Sequence, residues 1–228
     1  MSDEMQVMLN DPDHYIREGH AQIIQNTFKN KIAFIEIGKT GTAIKIHNYK
    51  STWHKIKRFF RRTRASKSWQ YSFLLNENGI QTPRPIAYKE TRIGPLRCGS
   101  YFIYEWVNGI TGDQYFKENE DNAEKIQKAI RSIIEITGKI KNLGVIHGDI
   151  RLENMIFNGD EIYLIDFDDA KSRKWYRSKF VNNRDFRGLI KDIHYNVPRG
   201  IQPLFLSRLS NLGEDIRHLV KSYRHKPT

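Results

Sequence analysis

The chain has 228 residues, 39% of them hydrophobic and 12% aromatic, enough to bury one large core or two small ones. No apolar run approaches the roughly 20 residues of a membrane span. The opening MSDEMQVMLNDPDHY is polar and acidic, unlike a secretory leader, and the single cysteine, Cys98, excludes an intrachain disulfide and fits a reducing cytoplasm. The net charge of +12 points to an anionic partner: nucleic acid, an anionic membrane surface or a phosphorylated substrate. Plain solvation of surface lysines is the competing explanation.

Residues 1–20 read as a loosely held lead-in. Three strands are predicted next, over 21–25, 32–38 and 42–49, with Lys39-Thr40-Gly41 turning the second into the third. Lys45 then lies mid-strand in Ala43-Ile44-Lys45-Ile46. A lysine flanked by apolar residues on a strand matches the V-A-I-K pattern, whose lysine pairs nucleotide phosphates; most strand lysines simply face water. A phosphate-covering loop belongs between the first two strands, at 26–31, but NTFKNK contains no glycine.

Residues 51–76 read as two basic amphipathic helices. Trp53, Ile56, Phe59 and Phe60 form one apolar face, Trp69, Phe73 and Leu74 another, with Arg58, Arg61 and Arg62 among the interleaved cations. That mixture suits either a solvated face or contact with an acidic membrane surface. The prolines of 79–85 make an extended connection. Strands follow over 85–89 and 100–107, and Asn108-Gly109 ends the second. A lobe boundary is placed here, giving units 1–107 and 108–228, with 105–107 as the hinge. Backbone groups of Glu105 and Val107 could then bind adenine, or the segment is an ordinary edge strand.

The helical period is clearest over 121–143, through Ile126, Ile130, Ile133, Ile134, Thr137 and Ile140, with Asp121 as cap and Gly144 just past the end. It delivers the chain to VIHGDIRLENMIFNGDEIYLIDFD, residues 145–168. Apolar runs 155–157 and 162–165 flank Asn158-Gly159-Asp160, a predicted β-hairpin. His147-Gly148-Asp149 and Asn154 precede it, and Asp166-Phe167-Asp168 follow. The Asp149-to-Asn154 spacing equals that of H-R-D-x-x-x-x-N, and Asp166 falls where the D-F-G aspartate belongs. A hydroxyl attacking a γ-phosphate needs a carboxylate to orient it, a role open to Asp149. Mg²⁺ needs hard oxygens, which Asn154 and Asp166 supply. Arg151 could reach the transferred phosphoryl group. Taken singly, an Asp or Asn beside a turn is more often a cap or an Asx-turn; the ordered set argues for phosphoryl transfer. The basic stretch after Asp168 has no A-P-E triplet, and 202–223 reads as one or two short helices.

The segments AIKIHNY, RASKSW, GIQTPRPIAY, SYFIYEWVNG, HGDIRLENMIF, YLIDFDDAKSRKWYRSKF and NNRDF resemble the lipopolysaccharide core kinases, the Kdo and heptose kinases. The resemblance implies an α+β, protein-kinase-like fold: a small β-rich N-lobe and a helical C-lobe with an ATP cleft between. It implies Asp149 as catalytic base, Asn154 and Asp166 on Mg²⁺, and Lys45 on the phosphates of ATP. The acceptor would be a Kdo or heptose hydroxyl of the lipid A–core glycolipid, met at the cytoplasmic face of the inner membrane by peripheral attachment. Nucleic acid, resting on charge alone, is the weaker partner. The sequence departs from the family pattern at the glycine-free loop and at Ser68, which stands where members often carry a glutamate to pair with the strand lysine. Alternatives are a small Rio-like protein kinase, an antibiotic- or choline-type kinase, and a pseudokinase binding an anionic surface.

Overall fold

The computed structural model describes residues 3–27, 30–38, 40–48, 62–93, 96–172 and 182–224. The chain divides into two units, Met1–Glu77 with Pro83–Val107, and Asn78–Thr82 with Asn108–Thr228.

The first unit opens with two short helices, α1 (Asp3–Asn10) and α2 (Pro12–Arg17). Its strands are β1 (Gln22–Asn26), β2 (Asn30–Ile37), β3 (Thr40–Asn48), β4 (Pro85–Ile93) and β5 (Leu96–Glu105), with helix α3 (Arg64–Glu77) between β3 and β4. They make one antiparallel sheet in the order β1-β2-β3-β5-β4. The opening segment is not a loose lead-in. Met8, Tyr15 and Ile16 join Ala33, Ile35, Ile37, Ile44, Ile46, Tyr101 and Ile103 in one buried cluster. Burying such side chains contributes roughly 1.5–3 kcal/mol each. Hydrogen bonds fasten the same contact, from the Tyr101 hydroxyl to Asp13 Oδ2 (2.6 Å) and from Lys89 Nζ to the Leu9 carbonyl (3.1 Å).

The β2–β3 turn is shorter than expected, because Thr40 already pairs with Ile37 and Gly41 with Glu36. Strand β3 is the sheet's centre, and Thr42 through His47 are all buried. Helix α3 lays Ala65, Ser68, Ser72 and Leu75 inward, three or four residues apart. Its start is fixed by Thr63, whose hydroxyl accepts the Ser66 N–H (3.1 Å) and donates to Glu90 Oε1 (2.8 Å). The helix expected earlier in this stretch, with Trp53, Ile56, Phe59 and Phe60, and the cations Arg58 and Arg61, lies outside the described residues.

The second unit runs through β6 (Ile110–Thr111), α4 (Gly112–Glu118), α5 (Ala123–Asn142) and β7 (Val145–Ile146). A 3₁₀ turn (Leu152–Asn154) then leads into β8 (Met155–Asn158) and β9 (Glu161–Leu164), followed by β10 (Lys171–Ser172). Helices α6 (Asn182–Asn196), α7 (Gln202–Ser210) and α8 (Glu214–Arg224) close the unit. Asn122 rather than Asp121 caps α5, accepting the Lys125 N–H (3.0 Å). The α5 residues Ile126, Ile130, Ile133, Thr137 and Ile140 are buried, as their spacing requires. Thr137 satisfies its hydroxyl on the Ile133 carbonyl (2.8 Å).

The hairpin β8–β9 turns on Gly159-Asp160 alone, since Asn158 pairs with Glu161. It is joined by β6 on one edge. Residues 78–82 belong with this unit because the Gln81 carbonyl accepts the Leu164 N–H (2.9 Å). Strand β10 returns to pair with β7, bringing the chain after Asp168 back beside the chain before His147.

Candidate active site

The loop from His147 to Asn154 is held at three places. From below, Asp185 of α6 accepts the N–H of His147 (2.9 Å) and of Gly148 (2.7 Å) on its two carboxylate oxygens. One turn pair further along the same helix face, Asp192 accepts the Leu152 N–H (2.8 Å) and approaches Arg151 Nε (3.4 Å). From the hairpin, the Asn154 carbonyl accepts the Ile165 N–H (3.0 Å). Buried backbone N–H groups require partners, and here two carboxylates supply them across 37 to 40 residues of sequence.

His147 is an internal strut. Its ring is buried, Nε2 donates to the Ile165 carbonyl (3.0 Å), and Nδ1 accepts the Asp149 N–H (3.3 Å). That pattern requires a neutral imidazole with its proton on Nε2. Burial pushes its pKa down, against the pull of Asp185 and Asp166. Burial also pushes the Asp185 carboxyl up, while His147 and the amide donors oppose it. With both carboxylate oxygens accepting N–H bonds, the ionised form is the one the loop needs.

Gly148 has φ +95°, and a Cβ there would lie 2.8 Å from Asp169 Cβ. Only glycine fits. The turn it makes leaves the Asp149 side chain partly exposed. Asn154, almost fully buried, donates Nδ2 to the Asp149 carbonyl (2.9 Å) and toward its Oδ2 (3.4 Å). With Nδ2 so used, Oδ1 is the atom left for a cation.

Asp166 is the one non-glycine residue with positive φ (+68°) among the described residues. Such a conformation costs on the order of 1–3 kcal/mol and persists where neighbours over-determine it. Here the Ile165 N–H is anchored before it, and after it Phe167 is buried edge-on to His147, with ring centroids 5.1 Å apart. Among the described residues no three His, Cys, Asp or Glu side chains form a metal-binding cluster. Asp166 and Asn154 are nevertheless a fitting donor pair for Mg²⁺, which takes one or two carboxylate or amide oxygens and completes its shell with water and phosphate.

Arg151 is tied to both Asp192 and Glu153. Its guanidinium therefore braces the loop first, and a phosphoryl group would have to compete with two carboxylates for it.

Lys45, Glu105 and Val107 belong to the first unit. Lys45 is only 5% exposed, so it is not one of the strand lysines that face water. It shares its face of β3 with Ala43 and His47, opposite the face on which Ile44 and Ile46 join the buried cluster. The Ser68 side chain on α3 is likewise buried. Strand β5 ends at Glu105, two residues earlier than expected. The Glu105 carboxylate pairs with Arg84, and its N–H donates to the Arg84 carbonyl (2.9 Å). Adenine could therefore use the Glu105 carbonyl, while among the described residues nothing in the backbone accepts the Val107 N–H.

The β1–β2 connection contains no glycine, and the described residues at its two ends are bonded to each other. Thr27 Oγ1 donates to the Asn30 carbonyl (2.9 Å) and accepts the Asn30 N–H (3.1 Å).

Asp185 and Asp192 were missed in the sequence, where α6 itself was not recognised. Its signal is present: Phe186, Leu189, Ile190 and Ile193 follow the helical period, and Asp185 and Asp192 stand seven residues apart on one face.

This arrangement of sheet, hairpin and loop has a solved counterpart. The structure of WaaP in complex with acyl carrier protein aligns over 97% of this chain and 97% of its own, with a TM-score of 0.65 and 16% identity. The fold is protein-kinase-like. Residues 22–223 match the model of the lipopolysaccharide kinase (Kdo/WaaP) family, and the chain belongs to that family.

More local similarities run to other proteins. The probable serine/threonine-protein kinase fnkB of Dictyostelium discoideum is 35% identical over 77 residues, 33% of this chain and 12% of that protein. The KEOPS complex subunit Bud32 of Pyrococcus abyssi is 27% identical over 93 residues, 40% of this chain and 42% of that one. A probable bifunctional tRNA threonylcarbamoyladenosine biosynthesis protein of Methanocaldococcus jannaschii is 27% identical over 135 residues, 59% of this chain and 22% of that one. The matches thus span between 12% and 42% of the length of these relatives.

Proposed function

We propose that the protein is an ATP-dependent phosphotransferase that phosphorylates a sugar hydroxyl, of Kdo or heptose, in the lipopolysaccharide inner core. Family membership supports the substrate class. The observation that carries the chemistry is the clasped loop: Asp149 is presented on a strapped backbone, Asn154 grips it, and Asp166 is held in a strained conformation.

In this reading Asp149 orients the acceptor hydroxyl and takes its proton. Asn154 and Asp166 hold Mg²⁺, which when bound neutralises phosphate charge. Lys45 binds nucleotide phosphates, and the backbone at Glu105 and Val107 meets adenine. Arg151 keeps Asp149 in register through Asp192 and, where freed from Glu153, faces the phosphoryl group. Among the described residues no helix is long and apolar enough to cross a membrane. The +12 chain would instead bind the anionic lipid surface peripherally, on its cytoplasmic face. The captured acyl carrier protein of WaaP makes a carrier protein a further candidate partner.

The similarity to fnkB and Bud32 favours, as a second reading, a small protein kinase. Mass spectrometry of the lipid A–core fraction, with and without the protein, separates the two. A gain of one phosphate on the glycolipid is expected. Autophosphorylation with no change in the glycolipid would transfer the assignment to the second reading.

A further inference from the structure

A second feature of the same unit remains outside the chemistry described so far. A cleft of about 680 Å³ opens between α4 and the junction of α6 with α7. Asp113, Lys117 and Glu120 line one side, and His194, Tyr195 and Arg199 the other. Its lining is polar and mixed in charge, unlike an apolar groove made for a helix or an acyl chain.

Both walls are fastened to one residue of the catalytic loop. At the start of α4, Gly112 lies so close to Leu152 that a Cβ would stand 2.7 Å from the Leu152 carbonyl oxygen. On α6, Asp192 accepts the Leu152 N–H (2.8 Å). Asp113 follows Gly112 directly, and His194 follows Asp192 by two. The cleft is therefore positioned from Leu152, one residue past Arg151 and three past Asp149.

Two groups in these walls are incomplete. Among the described residues Asp113 Oδ1 and His194 Nε2 are shielded from water and have no hydrogen-bond partner. A buried polar atom left unpaired costs roughly 1–3 kcal/mol. Both residues line the cleft, and the His194 ring is stacked on Tyr223 with centroids 6.3 Å apart. Tyr195 is 78% exposed, and Lys191 Nζ lies 6.0 Å from its ring centroid. Lys117 and Arg199 add two cations to the rim.

We infer that this cleft is an acceptor subsite that seats a saccharide ring bearing an anionic group, beside the sugar whose hydroxyl meets Asp149. Asp113 and His194 hydrogen-bond ring hydroxyls, Tyr195 covers the ring's apolar face, and Lys117 and Arg199 hold its carboxylate or phosphate. Glu120 disfavours a second anion. The inference rests on the kinase reading for its role but not for its test.

The test is calorimetric titration of the full chain with deacylated inner-core oligosaccharide, without nucleotide, alongside phosphoryl transfer and ATP binding. The variants are Tyr195→Ala, Arg199→Ala and Asp113→Asn. Tyr195 and Arg199 are exposed, so their loss leaves the fold intact. Each variant is expected to weaken oligosaccharide binding, and to raise the acceptor KM, about tenfold, with the affinity for ATP unchanged. Wild-type binding in all three variants, or no binding by the wild type, would overturn the inference. Inorganic phosphate competing as well as the oligosaccharide would also overturn it, by reducing the cleft to an anion site. Oligosaccharide binding that depends on Tyr195 in a protein without transfer activity would keep the cleft and remove the kinase reading. Transfer with an acceptor KM indifferent to all three variants would do the reverse.

Discussion

Two loops of this protein solve the same problem by opposite means. Across the connection between β1 and β2, at the expected place for phosphate contact, the Thr27 hydroxyl bonds the backbone of Asn30, three positions away. The loop from His147 to Asn154 is closed by carboxylates that arrive from α6, 37 to 40 residues later in the chain. The first contact is local, made between residues at the adjoining ends of two paired strands. The second exists only when α6 has docked. In the proposed reading this loop places a carboxylate against a reacting hydroxyl, a task that needs angular precision, and long-range anchors on a rigid helix provide it.

The largest expected effect separates chemistry from scaffolding. Asp149→Ala should lower phosphoryl transfer by about 10²–10⁴-fold, the usual contribution of a base. ATP affinity, measured by titration, should stay near wild type, because the shorter bond from Asn154 goes to the Asp149 carbonyl, which the substitution keeps. Near-normal turnover would remove Asp149 from that role.

Asp185→Ala attacks the long-range anchor. It orphans the buried N–H groups of His147 and Gly148, at about 1–3 kcal/mol each. Transfer and thermal stability should therefore fall together, in contrast to Asp149→Ala. Hydrogen exchange at those two amides should rise well beyond that of the rest of the unit. Unchanged protection there would mean the loop is held by other means.

A milder probe is pH. The His147 pKa is lowered from 6.5 in the folded state by burial, so the unfolded chain binds its proton first as pH falls. Stability from this group is fully present above about pH 6.5 and is lost as pH drops toward the folded value. Denaturant midpoints should decline on acidification through pH 6 to 5. His147→Gln, which can keep one of the two hydrogen bonds, should flatten that decline. A wild-type profile with no slope in this range would show that His147 is not held neutral.

The smallest effect is expected at the local turn. Thr27→Val removes two hydrogen bonds at an exposed site and should cost roughly 0.5–1.5 kcal/mol of stability. If the turn also covers phosphate, nucleotide affinity should fall a fewfold and the catalytic loop should keep its amide protection. Loss of protection at His147 would erase the contrast between the two loops.

Much of this was legible in one dimension. The period of α5 and the two apolar runs of β8 and β9 around Asn158-Gly159-Asp160 are local patterns. The spacing from Asp149 to Asn154 is equally local, and the structure brings the two into hydrogen bond. Lys45 was readable as a strand residue, but only the neighbouring strands made it buried. What the sequence could not show are the partners that meet through space. Asp185 and Asp192 look like surface acids in a basic stretch until α6 turns them under the loop. Met8, Tyr15 and Ile16 look like a loose lead-in until the sheet offers them a face. Asp166 carries no mark of its left-handed backbone, since that strain is imposed by Ile165 and Phe167 on either side. Local periodicity is written residue by residue, whereas a carboxylate's choice between water and a buried amide is made only when packing has removed the water.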